Sequence, residues 1–193
     1  MSVTETTPLT RTVDGTEVPA AGTYALDVSH STVGFSVRHL MVSKTKGRFA
    51  DFTGTVTIAG DPLASSVEVD IQAGSVDTRD ETRDGHLRSP DFFDADAFPS
   101  ISYRSTKVTP AGQGVWKVEG DLTVRDTTVP VPLEVTFEGA AKDPWGGTRI
   151  GFTARAELDR EAFGLTWNQA LETGGVLVGK QVRIDIDAEA VLQ

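Results

Sequence analysis

The sequence KQVRIDIDAEAV spans residues 180–191 and alternates apolar with polar side chains. In an extended chain its apolar residues, from Val182 to Ala190, would lie on one face. Its charged residues, from Arg183 to Glu189, would lie on the other face, because successive side chains of a β-strand point to opposite faces. This period of two predicts a long β-strand with one buried and one wet face. SVEVDIQ at residues 66–72 has the same pattern.

Similar segments recur along the chain, and most are separated by Gly, Pro, Asp or Ser, which favour turns. We predict strands near residues 23–29, 32–39, 48–59, 66–76, 100–109, 113–125, 129–141, 147–159 and 180–191. Antiparallel strands with one apolar face can close into a barrel or stack as two sheets. Long tilted strands suit a barrel, which also leaves no open edge. We therefore predict an all-β fold, a single antiparallel up-and-down β-barrel, with a β-sandwich as the alternative.

Three segments interrupt this pattern. HLMVSKTKGRF at residues 39–49 is basic and predicts a loop or a short helical turn. The connection at residues 77–90 predicts a short helix, because Asp77 or Thr78 can cap its N-terminus and a glycine and a proline follow. Residues 159–180 predict a long connection before the last strand.

The predicted helix would carry a positive stripe. Arg79, Arg83 and His86 lie at positions i, i+4 and i+7, which share one side of a helix. Such a stripe can bind a phosphate or another anionic head group, since arginine gives bidentate contacts and a protonated histidine adds charge. A solvated, salt-bridged surface helix is the alternative interpretation.

The composition is that of a soluble globular protein. The chain has 193 residues, of which 38% are hydrophobic and 24% charged, and we expect one main domain. Eighteen basic and 28 acidic residues give a net charge of −10, which opposes general binding to nucleic acid or to anionic membranes. Cysteine is absent, which excludes disulfides and thiolate chemistry.

The first twenty residues are polar and rich in threonine, without the basic and apolar regions of a signal peptide. No segment approaches the roughly 18 consecutive apolar residues of a membrane span. We expect residues 1–21 to form a flexible arm, residues 22–193 to form the barrel domain, and the protein to reside in the cytoplasm without stable membrane insertion.

Metal and catalytic motifs are absent from the sequence. The histidines are His30, His39 and His86, and none belongs to an HExxH motif. Neither GxSxG nor a glycine-rich phosphate loop occurs, so we predict no metal, no cofactor and no enzymatic activity. The alternative is an enzyme that uses the neighbourhood of Asp84, His86 and Ser89.

Aromatic residues would face inward from most strands. An eight-stranded barrel has an interior that side chains just fill or that holds one small ligand. Glycines within strands, such as Gly34, Gly54, Gly120 and Gly151, would widen it or bend its wall. Composition leaves open whether the interior is open or filled by side chains. If it is filled, the protein would be a ligand-free interaction module.

Several segments together resemble one family. They are GTYALDVSHSTVGFSVRHL (22–40), GRFADFTGTV (47–56), GDLTVRDTTVPVPLEV (120–135), FGLTWNQALETGGVLVGKQVRIDIDAE (163–189) and, most specific, RDGHLRSPDFFDADAFP (83–99). In this order they resemble the YceI-like family of polyisoprenoid-binding proteins over nearly all of residues 22–191. The resemblance implies a lipocalin-like barrel whose elongated apolar cavity holds an isoprenoid, a quinone or a fatty-acid-like amphiphile. Many members are exported, whereas the polar start of this chain favours an intracellular carrier or store.

The resemblance also implies a binding site. We expect the ligand chain to contact inward aromatic residues, and a head group to lie near basic and polar residues at the mouth. The predicted ligand-binding residues are Phe35, Arg38, His39, Phe52, Arg83, His86, Phe92, Phe93, Trp116, Phe152, Trp167 and Asn168. The expected partner is therefore a lipid-like small molecule, and a homodimer is plausible because symmetric pairs are common.

Overall fold

The computed structural model describes residues 8–112 and 114–193. In chain order the strands are β1 (Thr10–Val13), β2 (Thr16–Pro19), β3 (Gly22–Leu26), β4 (Thr32–His39), β5 (Ser43–Phe49), β6 (Phe52–Ile58), β7 (Ser66–Gln72), β8 (Val76–Asp77), β9 (Ser100–Gly112), β10 (Val115–Val124), β11 (Thr127–Pro130), β12 (Leu133–Lys142), β13 (Thr148–Asp159) and β14 (Val178–Leu192). One α-helix, α1 (Glu81–Arg88), belongs to the described part of the chain. Short 3-10 helices lie at Val28–His30, Pro62–Ala64, Ala73–Ser75 and Arg160–Phe163. None of the described helices has the length and apolar character that crossing a bilayer requires.

Eight antiparallel strands close into a barrel. β3 and β4 together form one bent strand of the ring, because both pair with β14. In the same way β5 and β6 form the next bent strand, and β7 and β8 the one after it. β9, β10, β12 and β13 follow, each beside its predecessor, and β14 pairs with β13 on its other edge. The predicted up-and-down barrel is thus confirmed, and the sandwich alternative is wrong.

The connections alternate between two ends of the barrel. We call one the helical end, because it carries α1, the β4–β5 turn at residues 40–42 and the connection 160–177. The other, the hairpin end, carries β1, β2 and the turns at residues 59–65 and 143–147.

Strand β14 shows the alternation of apolar and polar side chains from which the last strand is predicted. Val182, Ile184 and Ile186 line the interior, while Arg183 and Asp185 are exposed on the outer surface. The two faces differ because an antiparallel strand of a closed barrel has one side in the interior and the other in solvent.

Residues 43–49 form strand β5, so the prediction of a loop or helical turn at 39–49 is wrong there. Lys44, Lys46 and Arg48 are exposed, whereas Thr45 lines the interior and Phe49 is buried. This segment therefore has the period of two, but its inward positions include threonine and glycine, which weaken the apolar signal.

Residues 10–19 form a β-hairpin where the sequence predicts a flexible arm. Val18 is 2% exposed, and Arg11 donates hydrogen bonds of 2.5 Å to the carbonyl oxygens of Ala59 and Gly60. The hairpin is therefore attached to the barrel by an apolar contact and by charged hydrogen bonds. Residues 1–7 of the predicted arm lie outside the described residues, and the division at residue 21 stays a prediction.

The predicted helix in the connection is confirmed, but its start differs. Asp80 is the N-cap, and its carboxylate accepts a hydrogen bond of 2.9 Å from the backbone N–H of Arg83. Neither Asp77 nor Thr78 caps the helix. Arg79 precedes it with a left-handed φ of 64°, so the expected stripe with Arg83 and His86 is wrong for Arg79.

A cluster of charged residues joins strands at the hairpin end. The guanidinium of Arg149 donates to Asp27 (2.7 Å), Asp143 (2.9 Å) and Glu189 (2.5 Å). Hydrogen bonds from the side chains of Ser29 and Arg149 hold the pKa of Asp27 well below its usual range. This cluster links the segment after β3 with β13, β14 and the β12–β13 turn.

Gly120 allows close packing of a tyrosine in the barrel wall. A Cβ on Gly120 would overlap the ring of Tyr103 and lie 2.8 Å from the carbonyl oxygen of Arg104. We expect Gly120→Ala to lower the free energy of unfolding by about 1–3 kcal/mol, the usual cost of overpacking, as measured by urea denaturation. Gly151→Ala is the control, because its nearest contact would be an ordinary 3.8 Å. Equal urea midpoints for the two variants would contradict this packing argument.

Candidate ligand-binding cavity

The barrel is open inside. It encloses a cavity of about 460 Å³ whose wall is almost entirely apolar, a size within the roughly 300–1,000 Å³ of small-molecule sites. The lining extends from Val18 and Pro19 at the hairpin end to Trp167 and Leu177 at the helical end. The filled barrel of an interaction module is therefore wrong for this structure.

The cavity brings together almost all residues predicted to bind the ligand. The predicted residues that line it are Phe35, Arg38, His39, Phe52, Arg83, His86, Phe92, Phe93, Trp116, Phe152 and Trp167. Asn168 is not among the lining residues. Its side chain instead donates to the carbonyl oxygen of Val178 (2.7 Å) and accepts from the N–H of Val178 (3.1 Å). Asn168 thus holds the connection 160–177 on the start of β14.

Aromatic rings form the wall at the helical end. The His86 ring packs edge-on against Trp167 at 4.6 Å and against Phe92 at 5.1 Å between ring centroids. Phe49 contacts Phe35 at 5.7 Å and Phe93 at 5.5 Å. Since α1 supplies His86 and the connection 160–177 supplies Trp167, segments that are distant in sequence complete this wall together.

Hydrogen bonds fix the polar residues of α1. Arg83 donates from Nε to the hydroxyl of Thr78 (2.8 Å) and from Nη2 to its carbonyl oxygen (2.9 Å). Asp84 is buried and accepts from the N–H (2.8 Å) and the hydroxyl (2.6 Å) of Thr78. Nε2 of His86 lies 2.8 Å from a carboxylate oxygen of Asp91. These bonds orient the Arg83 and His86 side chains at the cavity wall.

Arg160 is a lining residue that the sequence did not reveal. It is 5% exposed and donates to the carbonyl oxygens of Gly179 (2.8 Å), Leu165 (2.6 Å) and Trp167 (2.9 Å). Burial lowers its pKa. In the described part of the chain no carboxylate oxygen lies within 4.0 Å of its guanidinium. The sequence contains no signal for this role, because backbone carbonyls rather than an acidic partner satisfy the charge.

The neighbourhood of Asp84, His86 and Ser89 does not form a catalytic relay. Asp84 bonds to Thr78, and the ring of His86 bonds to Asp91. The hydroxyl of Ser89 donates to the backbone carbonyl oxygen of His86 at 2.7 Å rather than to its ring. A nucleophile needs a base within hydrogen-bond reach of its proton, and this arrangement does not provide one.

Among the described residues one group has the spacing of metal ligands. Atoms of Asp27, His30 and Glu189 lie within 4.8 Å of one another at the hairpin end. The guanidinium of Arg149 bonds to both carboxylates and supplies their counter-charge. We therefore interpret this group as part of the ion cluster that joins the strands.

Loss of the Arg160 guanidinium should loosen the helical end. Arg160→Met keeps a long side chain but leaves carbonyl oxygens without a donor. We therefore expect the free energy of unfolding to fall by about 1–3 kcal/mol. Urea denaturation followed by circular dichroism measures this. Arg155→Met is the matched control, because Arg155 is an exposed residue of β13, the strand that precedes Arg160. A midpoint for Arg160→Met equal to that of the control would disprove the role of Arg160.

Solved structures share this barrel. BcnA of Burkholderia cenocepacia superposes with a TM-score of 0.75 at 22% identity, over 85% of this chain and 98% of BcnA. A polyisoprenoid binding domain from Saccharophagus degradans superposes with a TM-score of 0.66 at 15% identity, over 88% of this chain and 98% of that domain. At these identities the similarity establishes the fold.

Sequence similarity goes further. A UPF0312 protein of Staphylococcus aureus (strain N315) is 39% identical over 170 residues, which cover 86% of this chain and 95% of that protein. The YceI-like domain matches residues 24–190, which is nearly the whole barrel. The chain is therefore a member of the YceI-like family.

Proposed function

We propose that this protein binds, and thereby stores or carries, a long-chain apolar ligand in the cytoplasm without changing it chemically. The apolar cavity, which extends from one end of the barrel to the other, carries this proposal. The ligand is a polyisoprenoid, an isoprenoid quinone or a fatty-acid-like amphiphile. The polyisoprenoid binding domain of Saccharophagus degradans, which has the same fold, supports the choice of ligand class.

The lining explains how such a ligand can bind without polar contacts along its chain. Each methylene group that leaves water contributes about 0.8 kcal/mol. A water molecule inside would need two to four polar partners, which the middle of this cavity does not offer. Apolar chains are therefore favoured over water and over polar metabolites.

The head group belongs at the helical end. His39, Arg83 and His86 line the cavity there, and the exposed Arg38 lies at its rim, whereas the hairpin end is lined by Val18, Pro19 and Pro62 together with Ser31, Ser65 and Ser66. A charged head group at the hairpin end would lose its hydration and meet no lining cation, and the hydroxyls of Ser31 and Ser65 already bond to the backbone, so its burial there costs free energy. The ligand therefore enters with its chain toward the hairpin end.

Native mass spectrometry of freshly purified protein, followed by organic extraction, tests the binding itself. We expect a stoichiometric long-chain species that binds again after delipidation. Ala188→Phe places a ring in the cavity and should weaken binding about tenfold, as expected when two methylene groups lose their space. Asp187→Phe places the same ring on the exposed face of β14 and is the control. The proposal would be contradicted if the purified wild-type protein carries no ligand and binds no isoprenoid, quinone or fatty acid.

Head-group orientation requires a separate measurement. In a Trp145→Phe background the remaining tryptophans, Trp116 and Trp167, both line the cavity and report binding by fluorescence. We expect joint replacement of Arg83 and His86 by alanine to reduce the preference for a fatty acid over its methyl ester about tenfold, through loss of charged hydrogen bonds.

The matched control for this measurement is joint replacement of His30 and Arg183 by alanine. It removes the same residue types from exposed positions outside the cavity. An unchanged preference in the Arg83 and His86 variant, with folding verified by circular dichroism, would place the head group elsewhere.

A further inference from the structure

The turn between β4 and β5 exposes three large apolar residues. Leu40, Met41 and Val42 are 39%, 60% and 81% exposed. Single exposed apolar residues are common on protein surfaces, but three in succession at the tip of a hairpin form a protruding apolar patch. We call residues 40–42 the apolar tip.

The backbone of the apolar tip is unfavourable for its sequence. Leu40 and Met41 have φ values of 52° and 60°, and the N–H of Val42 donates to the carbonyl oxygen of His39 at 3.2 Å. Turns of this kind prefer Gly, Asn or Asp. Two bulky side chains therefore occupy strained positions without gaining burial, so neither turn geometry nor core packing explains them.

Basic residues surround the apolar tip. Arg38 on β4 pairs directly with Lys44 on β5, and Lys46 follows on the same outer face. Within the described part of the chain none of these three cations has a carboxylate oxygen within 4.0 Å, whereas the next one, Arg48, pairs with Asp77. Like charges directly opposite each other destabilise a strand pair. In a protein with a net charge of −10, this is a local positive surface.

We propose that the apolar tip and its flanking cations dock this protein on an anionic lipid bilayer. The apolar side chains enter the interface between head groups and acyl chains, while Arg38, Lys44 and Lys46 contact anionic head groups. The −10 charge of the whole chain repels such a surface, so docking is reversible and occurs only in the orientation that presents the tip.

The position of the tip matches this orientation. The N–H of Leu40 donates to the carbonyl oxygen of Leu177 at 2.9 Å, and both His39 and Leu177 line the cavity. Docking therefore brings the helical end of the cavity to the bilayer. The hairpin end also exposes large apolar residues, among them Leu63 and Trp145, but their backbone N–H groups donate to the acidic Asp61 and Asp143, and these surroundings are unsuited to an anionic surface.

Vesicle co-sedimentation tests the docking. Delipidated wild-type protein should sediment with phosphatidylcholine vesicles containing phosphatidylglycerol, remain soluble with phosphatidylcholine alone, and be released by salt. Lys44→Glu with Lys46→Glu should weaken binding about tenfold or more, since each cation near an anionic surface contributes about fivefold. Met41→Ser with Val42→Ser should weaken it as well. Lys107→Glu with Lys142→Glu gives the same change in net charge away from the tip and serves as the control.

A second measurement is independent of affinity. Because the chain has no cysteine, Val42→Cys can carry a single environment-sensitive fluorophore, with Trp145→Cys as the control position. We expect a blue shift on anionic vesicles for the label at residue 42 only. Three results would each overturn the proposal. They are wild-type protein that does not bind anionic vesicles at low salt, tip variants that bind vesicles as tightly as the wild type, and tip-dependent binding to polyglutamate but not to vesicles. Docking needs no ligand in the cavity, so its failure is separate from failure of the proposed lipid binding.

Discussion

Both edges of β14 are paired, and the rest of the structure depends on this. Along one edge it pairs with β13 from Arg149–Val191 to Asp159–Gln181, and along the other with β4 and then β3. This strand joins the end of the chain to its beginning, so the sheet has no open edge and the interior becomes an enclosed space. Without this closure the apolar faces would have to stack as a sandwich, which has no central cavity.

The sequence predicted strands wherever inward positions are strongly apolar, as in β7 and β14. It failed for β5, where Thr45 and Gly47 occupy inward positions and the outward lysines suggested a loop. It also failed for β1 and β2, whose attachment depends on one buried valine and on hydrogen bonds from Arg11 to distant carbonyls. In both cases the deciding interactions are between segments, and local periodicity does not record them.

The candidate site was predictable to the extent that its residues are aromatic. Aromatic side chains at the inward positions of strands lie in the interior, as Phe35, Phe52 and Trp116 do, whereas Trp145 in a turn is exposed. Polar residues were harder, because their position depends on individual partners. Asn168 turned out to bind the backbone of Val178, and Arg160 lines the cavity because carbonyl oxygens surround it. No spacing in the sequence distinguishes these two cases.

An open apolar interior is normally unfavourable for a protein, because the atoms that line it lack packing contacts on one side. In this barrel a buried cluster that includes Phe52, Ile71 and Tyr103 packs part of the interior, and other interactions hold the wall around the remaining space. The hydrogen-bond ladders fix the strands around the ring, and the ion cluster at Arg149 and the carbonyl contacts of Arg160 tie the two ends. Since the wall is held from within the sheet and at its ends, the middle can stay open. The constraint that closes the barrel is thus also the one that leaves room for a ligand.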